Sequence, residues 1–314
     1  MATVLVTGGA GFIGSNVAVA LAKRGDRIRV LDDLSTGFRI NLKPSLDALE
    51  IFEGSINDDE LLRKAMEDVE VCLHFAAINS VPRSIALPKA VNRANVDGSV
   101  NVFITARDAG VKRVIAASSS SVCGTREGGA SDENFPYAPI SPYSVSKTAM
   151  EHYARVFADT YDMEIAVFRY FNVFGPRQNP SSAYSAVIPK FIKRLLNCDK
   201  PTIHGDGSQS RDFTYVDNVV EANLLGVDCP SRLVGVYNIA CGGNTTVLEL
   251  TRTLMEIMGV DGEPNFDAPR PGDIRFSQAN IEKARSVLGY EPKVSVREGL
   301  ERTVAWFREN PPGV

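Results

Sequence analysis

Tyr143 and Lys147 stand in the run Ser141-Pro142-Tyr143-Ser144-Val145-Ser146-Lys147. Of the nine tyrosines in the 314-residue chain, Tyr143 alone has a lysine four positions later. On a helix, residues i and i+4 share a face, with Cβ atoms roughly 6 Å apart. An ammonium held there favours phenolate over phenol. A free phenol titrates near 10, so a base working near pH 7 needs a fall of about three units, or about 4 kcal/mol of differential stabilisation. One lysine and a second positive charge are expected to supply it. The chemistry this suggests is proton transfer to and from a hydroxyl.

The amino terminus points to the second charge. Thr3-Val4-Leu5-Val6-Thr7 reads as a short buried strand, and Ser15 to Arg24 has helical apolar spacing. Between them lies Gly8-Gly9-Ala10-Gly11-Phe12-Ile13-Gly14. Gly8 allows the tight turn, Gly11 lets backbone approach a pyrophosphate, and Gly14 lets helix and strand pack closely. The diphosphate of a dinucleotide then sits on the unpaired N–H groups of the helix start. A second strand, Arg27 to Leu31, ends at Asp32, 18 residues after Gly14. A carboxylate there accepts the adenosine ribose hydroxyls and repels a 2′-phosphate, so NAD is expected over NADP. The oxidised nicotinamide ring is then a cation for the Tyr143–Lys147 pair.

These residues need a scaffold, and the chain alternates apolar runs with helical patterns. Strands are expected at 3–7, 27–32, 49–53, 69–76, 113–119, 164–171 and 235–240, and helices at 12–24, 58–67, 88–109 and 142–161. This is the pattern of an α/β fold, a Rossmann-type doubly wound parallel sheet. Ligands in such sheets bind beyond the carboxyl ends of the strands. The glycine run, Asp32, Phe75-Ala76-Ala77, Ser118 to Ser121 and Asn172 all fall at such ends. After Asn172 comes a loop, Gly175 to Ser182, then helical segments at 183–197, 247–258 and 280–288 separated by irregular stretches. The expected division is a nucleotide-binding domain over 1–172, with a return segment near 205–240, and a smaller carboxyl-terminal α/β substrate-binding part over 173–314.

Composition narrows the function classes. The net charge is −4 with no basic run, so a nucleic-acid surface is not expected. Five cysteines are scattered without C-x-x-C spacing, which suits a reducing compartment. The three histidines have no metal-ligand spacing, and a metal site is not expected. No signal-like segment and no apolar stretch of roughly 18 residues occurs, so cytoplasmic location without membrane attachment is the expectation.

Together these segments resemble the extended short-chain dehydrogenase/reductase family, and within it the UDP-hexose 4-epimerases, especially those acting on UDP-N-acetylhexosamines. The resemblance runs from Val4 to about Gly299. Besides the segments above it rests on Leu31 to Gly37, His74 to Ala77, Ser80 to Ser84, Asn95 to Gly98, Arg169 to Gly175, Gly205 to Phe213, Tyr237 to Ile239 and Arg270 to Asp273.

The resemblance implies that Tyr143 is the catalytic base and acid. Lys147 lowers its pKa and binds the nicotinamide ribose. The third catalytic position is Ser119, with Ser120 as the alternative register among four consecutive serines. It implies cofactor contacts from Gly8, Gly11, Phe12, Ile13, Gly14, Asp32, Asp33, Ser35, Thr36, Gly37, Ser55, Ile56, Phe75, Ala76, Ala77, Asn95 and Tyr170. Diphosphate-binding arginines map to Arg211 and Arg270, with Asp273 beside the latter, and Ser84 to a contact near the diphosphate. Asn172, Val187 and Ser120 map to further substrate contacts, and Thr202, Ile203 and His204 to a uracil-binding strip. The implied reaction oxidises C4 of the hexose, turns the 4-keto sugar over and returns the hydride to the other face. A homodimer through helices 88–109 and 142–161 is also implied.

Two features bear on the choice of reaction. Related dehydratases and decarboxylases carry carboxylates just after the catalytic Ser/Thr, where this chain has Ser120 and Ser121. A hydroxyl is too weak a base for that chemistry. Ser277 falls where glucose-restricted relatives carry tyrosine, which leaves room for an N-acetyl group. UDP-GlcNAc and UDP-GalNAc are therefore the expected substrates, with UDP-Glc and UDP-Gal also accepted. The alternatives are another sugar-nucleotide dehydratase, decarboxylase or reductase, or a non-enzymatic NAD sensor. Two departures from the family pattern are Cys123 for a tyrosine and Ser55 for an aspartate.

Overall fold

The computed structural model describes residues 2–124, 129–179, 186–269 and 275–311. The first half runs β1 (Thr3–Thr7), α1 (Phe12–Arg24), β2 (Arg27–Asp32), β3 (Leu49–Glu53), α2 (Asp59–Met66) and β4 (Val71–His74). It continues through α3 (Val81–Ala86), α4 (Pro88–Asn92), a π-helical turn at Arg93–Asp97, α5 (Gly98–Asp108), β5 (Arg113–Ser119), α6 (Pro142–Tyr161) and β6 (Ile165–Tyr170). Then come β7 (Val173–Phe174), α7 (Val187–Leu196), β8 (Thr202–His204), β9 (Ser210–Arg211), β10 (Thr214–Tyr215), α8 (Val216–Asp228) and β11 (Gly235–Ile239). The last elements are β12 (Thr245–Thr246), α9 (Val247–Met258), β13 (Asn265–Asp267), α10 (Glu282–Leu288) and α11 (Val296–Glu309).

Seven strands form one parallel sheet in the order β11-β6-β5-β4-β1-β2-β3. Alternate strand residues enter cores on opposite faces, which is why the strands read as unbroken apolar runs. Val4 and Val6 pack with α1 and α8 residues such as Leu21 and Val219. Leu5 packs with Leu62, Phe103, Met150 and Phe157 from α2, α5 and α6. The chain crosses from β3 back to β4, so a crevice opens beyond β1 and β4. The seven expected strands all occur, with ends differing by at most two residues.

Two helices lie where the sequence reads as irregular. Val216–Asp228 interposes Asn218, Asn223 and Gly226 along its apolar face, which weakens the pattern. Val296–Glu309 is largely charged and contains Gly299. That glycine is a packing requirement, because a Cβ there would lie 2.8 Å from the Tyr215 ring and 2.9 Å from Phe174. With α7 and α9, α11 encloses a third core around Phe191, Leu250, Leu254, Leu300 and Phe307.

Arg113, at the start of β5, ties the return strand to the sheet. Its guanidinium donates to Glu164 and to the carbonyls of Gly226, Val227, Cys229 and Ser231. It thereby satisfies the open carbonyls at the end of α8 and sets the entry to β11.

His74, at the end of β4, is fully buried. Ser99 Oγ donates to the Asn95 carbonyl at 2.6 Å, so it accepts from His74 Nε2 at 2.9 Å. Nδ1 is then the acceptor for the Thr7 hydroxyl at 2.8 Å. Burial, and next the Lys147 charge, push the imidazole down from 6.5 to about 3. The unfolded chain therefore binds more protons between those values, and this residue withdraws stability as pH falls from 6.5. Parent protein should lose about 3 kcal/mol from this source by pH 4, and His74→Gln should lack that slope. Urea unfolding at pH 7, 5 and 4 measures it; identical slopes in the two proteins would refute the assignment.

Candidate active site

The crevice beyond β1 and β4 is a cleft of about 920 Å³. Gly8, Gly11, Phe12, Ile13 and Gly14 line one wall, and Asp32, Asp33, Ser35 and Thr36 extend it. Gly14 shows why the run needs glycine, because a Cβ there would lie 2.3 Å from the Gly8 carbonyl oxygen. The first amide bonded inside α1 is Ser15 N–H, to the Gly11 carbonyl at 3.0 Å. The N–H groups of Phe12, Ile13 and Gly14 remain open to an anion. Asp32 accepts from Ala10 N–H at 2.8 Å and Leu34 N–H at 2.9 Å. Burial raises its pKa, opposed by those donors. Oxygen lone pairs remain for ribose hydroxyls. An open glycine loop, unpaired helix amides and a carboxylate at the end of β2 fit a dinucleotide.

The opposite wall carries Phe75, Ala76, Ala77, Ser119, Ser120, Tyr143, Lys147 and Tyr170. Ser141 caps α6, accepting from Ser144 N–H while the Ser144 hydroxyl accepts from Ser141 N–H. The cap fixes the first turn, and with it Tyr143. Ser119 acts on the Tyr143 phenol and opposes the effect of burial on it. It also accepts from Ser121 N–H at 3.2 Å, which ends β5 in a tight turn. Ser120 lines the cleft one residue into that turn. Lys147 is buried and its Nζ donates to the Ala117 carbonyl at 2.8 Å. Burial pushes its pKa down to about 8, and Glu151 opposes the shift.

The expected fall in the Tyr143 pKa is not achieved by the protein alone. Desolvation pushes the phenol up, with the Ser119 side chain the opposing influence. The Lys147 ammonium is directed at a carbonyl instead. In a desolvated site the phenolate needs a further cation, and the oxidised nicotinamide is the one the sequence points to.

Behind this wall lies a polar cluster that the sequence does not announce. Arg169 and Glu151 form a fully buried ion pair, with Nη2 to Oε2 at 2.7 Å and Nε to Oε1 at 2.9 Å. The hydroxyls of Ser118 and Tyr137 also donate to Glu151. Cys123 is buried against this cluster, with its sulfur 3.9 Å from Arg169 Nη1.

Three residues expected at the cofactor or diphosphate do not line the cleft. Ser84 is fully buried, and its hydroxyl donates to the Val81 carbonyl within the first turn of α3. That turn presents Arg83 to the cleft instead. Asn95 is also fully buried, bonded to both Ile78 backbone groups and to Ser146. It shapes the 75–79 loop from behind while Ala94 lines the cleft. Gly37 packs against the Ala10 backbone, between lining residues Thr36 and Phe38. Ser55 and Ile56 line the cleft, and Ser55 Oγ accepts from Asn57 N–H at 3.1 Å.

A second cavity of about 400 Å³ adjoins the first. Val187, Thr202, Ile203 and His204 line it, and Asn172 and Arg211 face both cavities. Ser277 faces the large cleft. Arg270 and Asp273 lie outside the described residues. The sequence reading missed Arg83, Arg177, Gln178, Lys190 and Gln209, all of which line one cavity or the other. Only the proximity of Arg177 and Gln178 to Asn172 could have drawn attention to them.

Among the described lining residues, the only carboxylates are Asp32 and Asp33, both at the glycine-loop end. The Tyr143 end has hydroxyls, an ammonium and an amide, which suits proton and hydride transfer at a carbinol. Comparison with known proteins agrees. Residues 4–240 match the NAD dependent epimerase/dehydratase family. A UDP-glucose 4-epimerase of Mycolicibacterium smegmatis is 38% identical over 308 residues, 97% of this chain and 98% of that one. A UDP-N-acetylglucosamine 4-epimerase of Methanobrevibacter ruminantium, solved with UDP-N-acetylmuramic acid, superposes with TM-score 0.94 at 38% identity. It covers 98% of this chain and 99% of its own. A Thermotoga maritima UDP-glucose 4-epimerase, solved with UDP-glucose, gives 0.92 at 39% identity over 98% and 99% of the two chains. The chain therefore belongs to the NAD-dependent epimerase/dehydratase family, as an enzyme of the UDP-sugar 4-epimerase type.

Proposed function

We propose that this enzyme inverts C4 of UDP-N-acetylglucosamine and UDP-N-acetylgalactosamine, and accepts UDP-glucose and UDP-galactose, through a transient 4-keto sugar. The observation that carries this reading is the convergence of Ser119, Tyr143 and buried Lys147 on one end of the cleft whose described lining has no carboxylate. Bound NAD supplies the hydride acceptor and, when oxidised, a positive charge beside the phenol. Tyr143 removes the 4-hydroxyl proton as C4 is oxidised and returns a proton when the ketone is reduced. Ser119 orients the phenol and the sugar oxygen. Lys147, held by the Ala117 carbonyl, supplies a fixed ammonium for a ribose hydroxyl. A dehydratase or decarboxylase needs a carboxylate at this end, and the described lining offers none there.

Arg211, which faces both cavities, is assigned to the sugar-nucleotide diphosphate, with uridine beside Thr202, Ile203 and His204 and the hexose near Asn172. Arg270 and Asp273 are assigned with Arg211 on the resemblance of their segment. Ser277 is assigned to the space beside the C2 substituent. The nucleotide-binding unit is taken as 1–172 with a return near 205–240, and the substrate unit as the remainder of 173–314. Free thiols at all five cysteines suit a reducing compartment, taken as the cytoplasm.

A homodimer is proposed through α6 and the helix that contains α5. Val145, Tyr153 and Val156 leave a row of exposed apolar side chains on α6. Val96, Val100 and Ile104 repeat every four residues on the neighbouring helix and are half-buried. A second copy related by a two-fold axis would cover both rows.

Proton NMR of the enzyme with UDP-N-acetylglucosamine should show UDP-N-acetylgalactosamine accumulating. A 4-keto-6-deoxy signal, or no turnover of any UDP-sugar, would overturn the proposal. Tyr143→Phe should lower turnover by roughly 10²- to 10⁴-fold without releasing NAD. Ser277→Tyr should lower kcat/KM for the N-acetylated pair by about tenfold or more and spare UDP-glucose; equal losses would refute the pocket assignment. Val145→Glu combined with Tyr153→Glu should convert a dimer into a monomer by light scattering, and an unchanged mass would exclude this face.

A further inference from the structure

Arg177 is unexplained by the expected contacts. It lines the same cleft as Gly11, Phe12 and Ile13. Its Nη1 is shut off from solvent and has no hydrogen-bond partner. Asp217 acts on it through space, but that carboxylate is itself bonded to Arg302 at 3.1 Å. A buried donor on a charged group is costly to leave open.

The backbone around Arg177 is held under constraint. Its φ of 71° is left-handed, which costs a non-glycine residue about 1 kcal/mol or more. The Pro176 carbonyl accepts from Asn16 Nδ2 at 3.2 Å, and the same amide donates to the Phe12 carbonyl at 2.9 Å. This tether sets Arg177 beside the first turn of α1, where the free amides are. Gln178 donates to the Val173 carbonyl at 3.2 Å, and its own Oε1 is buried without a partner.

The geometry points to Arg177 as a ligand of the dinucleotide diphosphate, supplying from the 175–178 turn a cation that the glycine loop lacks. The inference rests on the reading of the Gly8–Gly14 cleft as the NAD site. A guanidinium and a helix start converge on the same doubly charged group, and each strengthens the other in a partly desolvated cleft. The glycine loop supplies only neutral donors, so full positive charge comes from a cleft-lining arginine, and the described ones are Arg83, Arg177 and Arg211. The sugar nucleotide also carries a diphosphate, but Arg211 already faces the cavity where that group is assigned. The Asn16 tether favours the α1 side for Arg177.

The test follows release of bound NAD by chase with fluorescent etheno-NAD, and UDP affinity by calorimetry, in parent, Arg177→Met and Arg177→Lys. Arg177→Met should release NAD about tenfold faster, with Arg177→Lys intermediate, while UDP affinity changes by less than about twofold. The melting temperature of nucleotide-stripped Arg177→Met should be unchanged or higher, because removing an unpartnered buried cation relieves desolvation. Equal NAD release in all three proteins would overturn the assignment. Weaker UDP binding with unchanged NAD release would also overturn it and move the guanidinium to the sugar nucleotide. A lower melting temperature of the stripped Met variant would show a structural role instead. A parent protein that binds no NAD would sink the cofactor reading itself, which distinguishes that failure from the failure of Arg177.

Discussion

The candidate active site is organised by one ion pair that lines neither cavity. Arg169 on β6 and Glu151 on α6 are both buried, and their two parallel hydrogen bonds bind helix to sheet. Ser118 at the end of β5 bonds the same carboxylate, so three elements meet there. Ser119 follows Ser118, and Lys147 lies one turn before Glu151. The pair therefore fixes the relative position of the two elements that carry the groups proposed to react. Breaking a buried pair from one side leaves an uncompensated charge, at a cost of roughly 3–5 kcal/mol. Tyr137 seals the arrangement, bonding Glu151 and stacking its ring over the Arg169 guanidinium at 5.2 Å.

That rigidity has an electrostatic consequence. A desolvated wall raises the phenol of Tyr143 and lowers the ammonium of Lys147 together. Both shifts oppose the charged forms a working base and its partner need. Glu151 offsets part of the penalty on Lys147. For Tyr143, the Ser119 side chain acts in the required direction but does not outweigh burial. In the proposed mechanism the oxidised coenzyme would supply the cation that completes the balance. That arrangement would couple base strength to the redox state of the cofactor through one low-dielectric site.

The supporting polar residues act by position. Thr7, His74, Ser99 and Asn95 form a continuous run of hydrogen bonds beneath the cleft. Asn95 then holds Ile78 and reaches Ser146 on α6. The 75–79 loop is thus fixed against both the sheet and the catalytic helix. A resemblance at the level of motifs assigns Asn95 to the cofactor. The structure places it one layer behind, fully buried within the π-helical turn at Arg93–Asp97.

The sequence alone determined the parallel sheet, the glycine loop and the Tyr143–Lys147 spacing. These are local patterns, set by strands buried on both faces, by missing Cβ atoms and by the helical repeat. It did not decide between Ser119 and Ser120, because four serines in a row have no pattern. In space Ser119 ends β5 and acts on the phenol, while Ser120 lines the cleft one residue into the following turn. Nor could it reveal that Ser84 faces inward while Arg83 faces the cleft, or that the Pro176 carbonyl meets Asn16 of α1, 160 residues away along the chain. Helices Val216–Asp228 and Val296–Glu309 escaped notice because asparagines, glycines and charges blur their apolar stripes. Contacts between segments far apart in sequence leave no periodic trace; only packing decides them.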